Sequence, residues 1–289
     1  MLWKKFSEHA AMATGNFAKL FGKLELPAIS PAATQLLKLT QQADFKMSEV
    51  VEIITTDPGI TAKILTIVNS SYFGLSHQVA DIRHGISLLG IKRVSSLALA
   101  FSATNALPQQ IDGFDAREFW QDSVHRAVFA SAVSSRLAAG SEGEAFTGGL
   151  LQNIALPLLL VQWSKYYLQL FEMAKDTDQP LVDVEDAQLS WNHAQAGAWI
   201  ARNWNFPDVL VCAIGLHHTS IDDLEEMDLS ETPVAAVAAS SCFPDAEEIC
   251  CHELGIAADD YRKICAETES GYSDLAALFG VTASDSSTE

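Results

Sequence analysis

Every long segment of this chain repeats its apolar residues at intervals of three and four, and none sustains the two-residue alternation of a half-buried strand. That period restricts the chain to helices, which must bury their apolar stripes against one another. The expectation is an all-α protein. Apolar residues make up 48% of the 289 positions, enough to close a large core or two smaller ones.

Charge divides the chain where its turn signals are strongest. Residues 1–110 hold 10 Lys and Arg against 7 Asp and Glu, whereas residues 111–289 hold 8 against 30, making up the net charge of −19. Between them, Pro108-Gln109-Gln110-Ile111-Asp112-Gly113-Phe114 is the one convincing linker. Two helical lobes are therefore expected, over residues 22–110 and 111–245. An amphipathic helix over 1–21 precedes them, and a helical extension over 246–280 and a disordered polar tail over 281–289 follow. An acidic second half repels phosphate backbones, which argues against nucleic acid as a partner. No apolar run is long enough to suggest a membrane span, and no signal-peptide pattern follows Met1-Leu2-Trp3-Lys4-Lys5-Phe6, so the expected location is cytoplasmic. The five cysteines (Cys212, Cys242, Cys250, Cys251 and Cys265) are odd in number and form no Cys-x-x-Cys pair, as expected of reduced thiols.

Capping signals place several helix starts: Ser48 before Glu49, Asp57 with Pro58 at the first helical position, and Asp81 before Ile82. The nearly all-apolar stretch 94–107 reads as a buried helix. In the second lobe, helices are expected over 115–139, 148–162, 163–174, 183–204, 207–218 and 230–243, with Pro157 kinking the second of these. Gly148-Gly149 reads as a helix start that permits close packing.

One constellation carries chemistry. The stretch Gly148-Gly149-Leu150-Leu151-Gln152-Asn153 joins small residues, an apolar run and a polar amide pair, and His193, His217 and His218 follow it. Neutral imidazoles bind zinc, iron or manganese, but a hydrolytic centre also needs carboxylates, for which Asp122 and Asp186 are the candidates. Buried or capping histidines account for the same spacing. No Walker loop, Rossmann fingerprint, Gly-x-Ser-x-Gly elbow or His-Glu-x-x-His motif is present.

Taken together and in order, these pieces resemble the HDOD family, bacterial signalling relatives of the HD-domain metal phosphohydrolases. The resemblance rests on Leu26-Pro27 with Ile29, Asp57-Pro58-Gly59-Ile60-Thr61-Ala62-Lys63-Ile64-Leu65, Val68-Asn69-Ser70, Ile82-x-x-Gly85-Ile86-x-x-Leu89-Gly90, Phe119-Trp120, Gly149-Leu150-Leu151 and His193-x-x-x-Gly197. It spans roughly residues 20–220 and continues loosely to 279. It implies an HDOD-specific N-terminal bundle and an HD-like C-terminal bundle.

Catalytic HD proteins hold metal with an early histidine, a His-Asp pair and a later Asp. By position the resemblance puts Asp122 at the early histidine, Gln152-Asn153 at the pair and Ser240 near the later Asp, while His193, His217 and His218 match the further histidines of two-metal versions. Amides cannot supply the bridging carboxylate that lowers a bound water's pKa, so the implied pocket is vestigial. Gln152 and Asn153 are expected instead to hydrogen-bond with each other and with the histidines. The expectation is a non-catalytic regulatory binding module with no cofactor. Its partner is a signalling protein that meets a surface around Asp57, Lys63, Asn69, Ser70, Tyr72 and Arg93, and a nucleotide second messenger is the candidate small ligand. Helix capping is the alternative role for Asp57 and Asn69. The alternative function is a degenerate phosphohydrolase of a nucleotide or cyclic dinucleotide, using Asp122 and the three histidines.

Overall fold

The computed structural model describes residues 26–279, apart from 41, 43, 71–76 and 109. The expected helix over 1–21, the tail over 281–289 and Tyr72 lie outside the described residues. Helices are the regular elements of the described chain, and its one backbone bridge, Ile111 to Phe114, closes the turn between the two groups of helices.

The first group comprises α1 (Pro31–Thr40), α2 (Met47–Thr55), α3 (Pro58–Val68), α4 (Ile82–Leu89) and α5 (Ile91–Ala106). Asp57 caps α3 by accepting from the Ile60 N–H at 3.1 Å, with Pro58 in the first turn. Asp81 caps α4. Helix α2 begins at Met47 rather than after Ser48, because the Glu49 carboxylate reaches back to the Lys46 N–H at 2.8 Å and secures an earlier start. Asn69 ends α3 and fastens the returning loop to it. Its Oδ1 accepts from the Val79 N–H at 2.6 Å, and its Nδ2 donates to the carbonyls of Val79 and Leu65.

Helix α5 is buried along almost its whole length, Val94 to Thr104, because it lies between the two groups. It packs on α7, where Thr147 Oγ1 donates to the Ser96 carbonyl at 3.0 Å. Gly143 makes the approach possible, since a Cβ there would lie 2.9 Å from Arg93 Cα. A single apolar cluster consequently runs through both groups.

The second group is built around α6 (Ala116–Leu137) and α7 (Glu142–Leu151), followed by α8 (Ala155–Thr177), α9 (Leu181–Leu189), α10 (His193–Asn203), α11 (Asp208–Gly215), α12 (Ile221–Glu226) and α13 (Pro233–Ser241). After a π-helical turn (Ile249–Glu253), α14 (Ala258–Leu275) returns along α6, where Arg136 makes a two-pronged ion pair with Glu267. Taken as one run, α7 and α8 are long and apolar enough to cross a membrane. Their apolar window is 83% buried inside the fold, which makes them core helices.

Three expectations about this region are corrected. Gly148 and Gly149 lie inside α7 rather than at its start. The expected helix over 148–162 is broken at Gln152-Asn153-Ile154, and Pro157 falls in the first turn of α8, where a missing N–H costs no helical bond; the bend within α8 lies at Trp163. The expected helix over 183–204 is two helices. Ser190 turns left-handed (φ 60°) and Asn192 caps α10 reciprocally with Gln195, which stops one helix and starts the next.

Candidate functional site: a histidine cluster at helix ends

Helix termini meet at the site. His193 opens α10, while His217 and His218 directly follow α11. Gly197, one turn into α10, brings these ends together: a Cβ there would lie 2.8 Å from Ile214 Cγ2 and 3.6 Å from the Gln152 carbonyl. The His193-x-x-x-Gly197 spacing therefore reflects a close crossing, with the histidine and the glycine on one face of α10.

The three rings converge. One nitrogen from each lies within 4.8 Å of one from each of the others, and His193 Nε2 is 3.1 Å from His218 Nε2. Fixed partners settle which nitrogens face inward. His217 Nδ1 sits 2.6 Å from the Ile214 carbonyl, which can only accept, so Nδ1 carries the proton and Nε2 the lone pair. That Nε2 is fully buried and has no hydrogen-bond partner among the described residues. His193 Nδ1 lies 2.5 Å from Glu185 Oε2, which also accepts from the His193 backbone N–H at 2.9 Å. Tyr167 donates its hydroxyl to Glu185 Oε1 at 2.9 Å. Glu185 and Tyr167 are both completely buried.

Electrostatics keep His217 and His218 neutral. Burial holds His217 well below its ordinary pKa, and His218, His193 and Arg126 push in the same direction. His218 is exposed on one side, but lost hydration where it meets the other rings, with His193 and Arg126 beside it, lowers its pKa as well. Burial, then Glu185, raises the Tyr167 hydroxyl far above its usual range, so it stays a donor.

The other predicted residues are placed differently. Gln152 is buried at the break after α7, where its Nε2 donates to the Gly149 carbonyl at 3.1 Å and its Oε1 has no partner among the described residues. The expected amide–histidine network does not form there, because Gln152 instead satisfies a carbonyl left free at its own helix end. Asn153 lies in the same turn, half-buried, and its carbonyl accepts from Leu156. The buried Ser240 hydroxyl returns to the Val237 carbonyl at 2.7 Å. Asp122 is exposed on α6 and Asp186 is bonded to Asn192 Nδ2; neither is among the grouped ligand atoms.

On the first group of helices, Lys63 donates to Asn105 Oδ1 at 2.9 Å and lies over the Phe101 ring. Ser70 donates to the Ile67 carbonyl. Arg93 backs onto Gly143. Glu185, Tyr167 and Arg126 are the residues sequence reasoning missed.

The residues fit one kind of metal and not another. Three neutral imidazoles suit a borderline transition ion of the zinc class. A bridged two-metal centre needs carboxylates, and among the described residues none joins the histidine group.

The described chain is an all-α protein of two packed helical groups with histidines gathered at helix ends. The HDOD domain model matches residues 26–220, and the chain belongs to the HDOD family. It is similar in structure to an HDOD domain protein of unknown function from Geobacter sulfurreducens, at a TM-score of 0.69 and 16% identity over 94% of this chain and 97% of that one. A candidate phosphohydrolase from Shewanella amazonensis SB2B matches at 0.67 and 22% identity over 87% and 95%. A candidate signal transduction protein from Marinobacter aquaeolei VT8 matches at 0.67 and 19% identity over 95% and 66%. These likenesses establish the fold. An uncharacterized protein of Treponema pallidum (strain Nichols) is 22% identical over 226 residues, of which the matched part is 77% of this chain and 43% of the relative; the chain thus spans less than half of that relative's length.

Proposed function

We propose that this protein is a non-catalytic regulatory module of a cytoplasmic signalling pathway. What supports the reading is the chemistry of the residues that stand, by the HDOD resemblance, at the positions of the catalytic ligands. Where a phosphohydrolase needs ionisable ligands, this chain has Gln152, Asn153 and Ser240, and two of these three side chains are bonded to carbonyls of their own helices. Without a carboxylate in the group, a bound water has neither a bridging pair of metals nor a general base to activate it. The N-terminal helices offer the surface for a protein partner, around Asp57, Lys63, Asn69, Ser70, Tyr72 and Arg93. Several of those side chains also hold their own helices together, so a partner would read the shape they maintain as much as the groups themselves.

The converging histidines are the observation that favours the alternative, a degenerate metal phosphohydrolase of a nucleotide or cyclic dinucleotide. The test is turnover of cyclic dinucleotides and guanosine polyphosphates by purified protein supplied with Mn²⁺ or Fe²⁺. No product above the buffer control is expected. Steady turnover that disappears in His217→Ala would overturn the proposal.

A further inference from the structure

His217 Nε2 is one of the buried side-chain atoms that have no hydrogen-bond partner among the described residues. It is fully buried, its ring is fixed by the Ile214 carbonyl, and nothing described donates to it. Leaving a buried acceptor unsatisfied costs on the order of 1–3 kcal/mol, and a core with no use for the group could replace it by an apolar side chain of similar size.

The neighbouring ring shows the same preparation. With its Nδ1–H committed to Glu185, His193 also turns the Nε2 lone pair inward, toward His218 Nε2 at 3.1 Å. Metal-ligating histidines are held in this way, the outer nitrogen donating to a carboxylate or a backbone carbonyl so that the inner one is a free base of fixed direction. Here one ring has the carboxylate and another the carbonyl. Glu185 is itself held by the Tyr167 hydroxyl and the His193 backbone amide, an arrangement that a simple core histidine does not require. The spacing agrees: nitrogens about 2.0–2.1 Å from a tetrahedral zinc lie roughly 3.3 Å apart. One pair in the cluster is already at 3.1 Å, and all are within 4.8 Å.

We propose that His193, His217 and His218 form a single-ion site for a transition metal of the zinc class, with Glu185 and Tyr167 as the residues that position His193. The site takes one ion, because among the described residues no carboxylate joins the three histidines to bridge a second. His218, being exposed, is the ring past which the ion enters, and it ligates through Nε2 with its proton on Nδ1. The fourth position is left to water or an anion. The proposal rests on the non-catalytic reading only in assigning the ion a binding role rather than a hydrolytic one.

The experiment is titration of the chelator-stripped full chain with Co²⁺ alone and with Zn²⁺ alone. Co²⁺ reports its coordination through visible absorption, and its charge-transfer bands separate thiolate from imidazole ligation. One equivalent per chain is expected, with intense four-coordinate bands and no thiolate band. His218→Ala changes an exposed ring, so it should keep the helical circular dichroism of the parent while losing the ion. Glu185→Gln should weaken binding by about 10–100-fold, as outer-sphere changes do. Less than one equivalent, uptake unchanged in a folded His218→Ala, or a thiolate band tracing the ion to the cysteines would each overturn the site. Turnover by the Zn²⁺-loaded chain would refute the non-catalytic reading and leave the site standing; absence of both ion and turnover would do the reverse.

Discussion

Replacing Gly149 with Ala tests the contact on which the arrangement of α6 and α7 depends. A Cβ at this position would lie 2.8 Å from the Arg126 carbonyl oxygen, 3.0 Å from Ala127 Cα and 3.1 Å from Ala130 Cβ. Carbon atoms at their best separation are about 3.5 Å or more apart, so the shortfall is roughly 0.5 Å. None of the three atoms is the end of a flexible side chain, and no rotamer change relieves the overlap. Overpacking of this sort costs about 1–3 kcal/mol, and the rigidity of the contact places it in the upper half of that range. Alanine gains about 1 kcal/mol over glycine in a helix, which leaves a net loss of about 1–2 kcal/mol. For a chain of this size that corresponds to a melting temperature lower by roughly 2–3 °C. The assay is urea denaturation with an unchanged m value, run beside Gly59→Ala. That second Cβ would meet only Asp57 Oδ1, at 3.4 Å, and should be neutral or stabilising by up to about 1 kcal/mol. If Gly149→Ala proves as stable as the parent, the close approach of α6 and α7 is not as described.

Tyr167→Phe keeps the ring and removes the hydroxyl that donates to Glu185 Oε1, leaving a buried acceptor short of a donor; a loss of about 1–3 kcal/mol in unfolding free energy, read by denaturant titration, is expected. Combined with Glu185→Gln, the losses should fall short of additive, because both changes act on one network. A third expectation concerns pH. His217 has a folded pKa depressed well below its ordinary value of 6.5, so the unfolded chain binds the proton more readily. Its stabilisation is therefore complete above that value and declines as pH falls below it. Counting His217 alone, stability should drop by about 1.4 kcal/mol between pH 7.5 and 5.5, before most carboxylates titrate. Equal stability at the two pH values would contradict the burial of a neutral His217.

Helical period and capping chemistry made the fold legible: Asp57 with Pro58, Asp81 and the buried run of α5 all stand where their residue types place them. The break after α7 was not legible. Leu150, Leu151, Ile154, Ala155 and Leu158 keep a helical period across it, and the break coincides with the close approach of α10 at Gly197 and with the local capture of the Gly149 carbonyl by Gln152. Glu185 was hidden in another way. It sits in the run Asp183-Val184-Glu185-Asp186, which reads as a solvated face, and it is buried only because the chain turns at Ser190 and carries His193 back over it. The capping pair Asn192 and Gln195 was the available signal for that turn. The candidate residues share a location. His193, His217, His218 and Gln152 all stand at helix ends, where periodicity stops carrying information and free backbone groups seek side-chain partners. A fold can thus be read from the middles of its helices while its site is composed at their ends. For this chain the site's chemistry depends on which outer partner each histidine finds, a carboxylate for His193 and a carbonyl for His217, and residue spacing alone does not encode that.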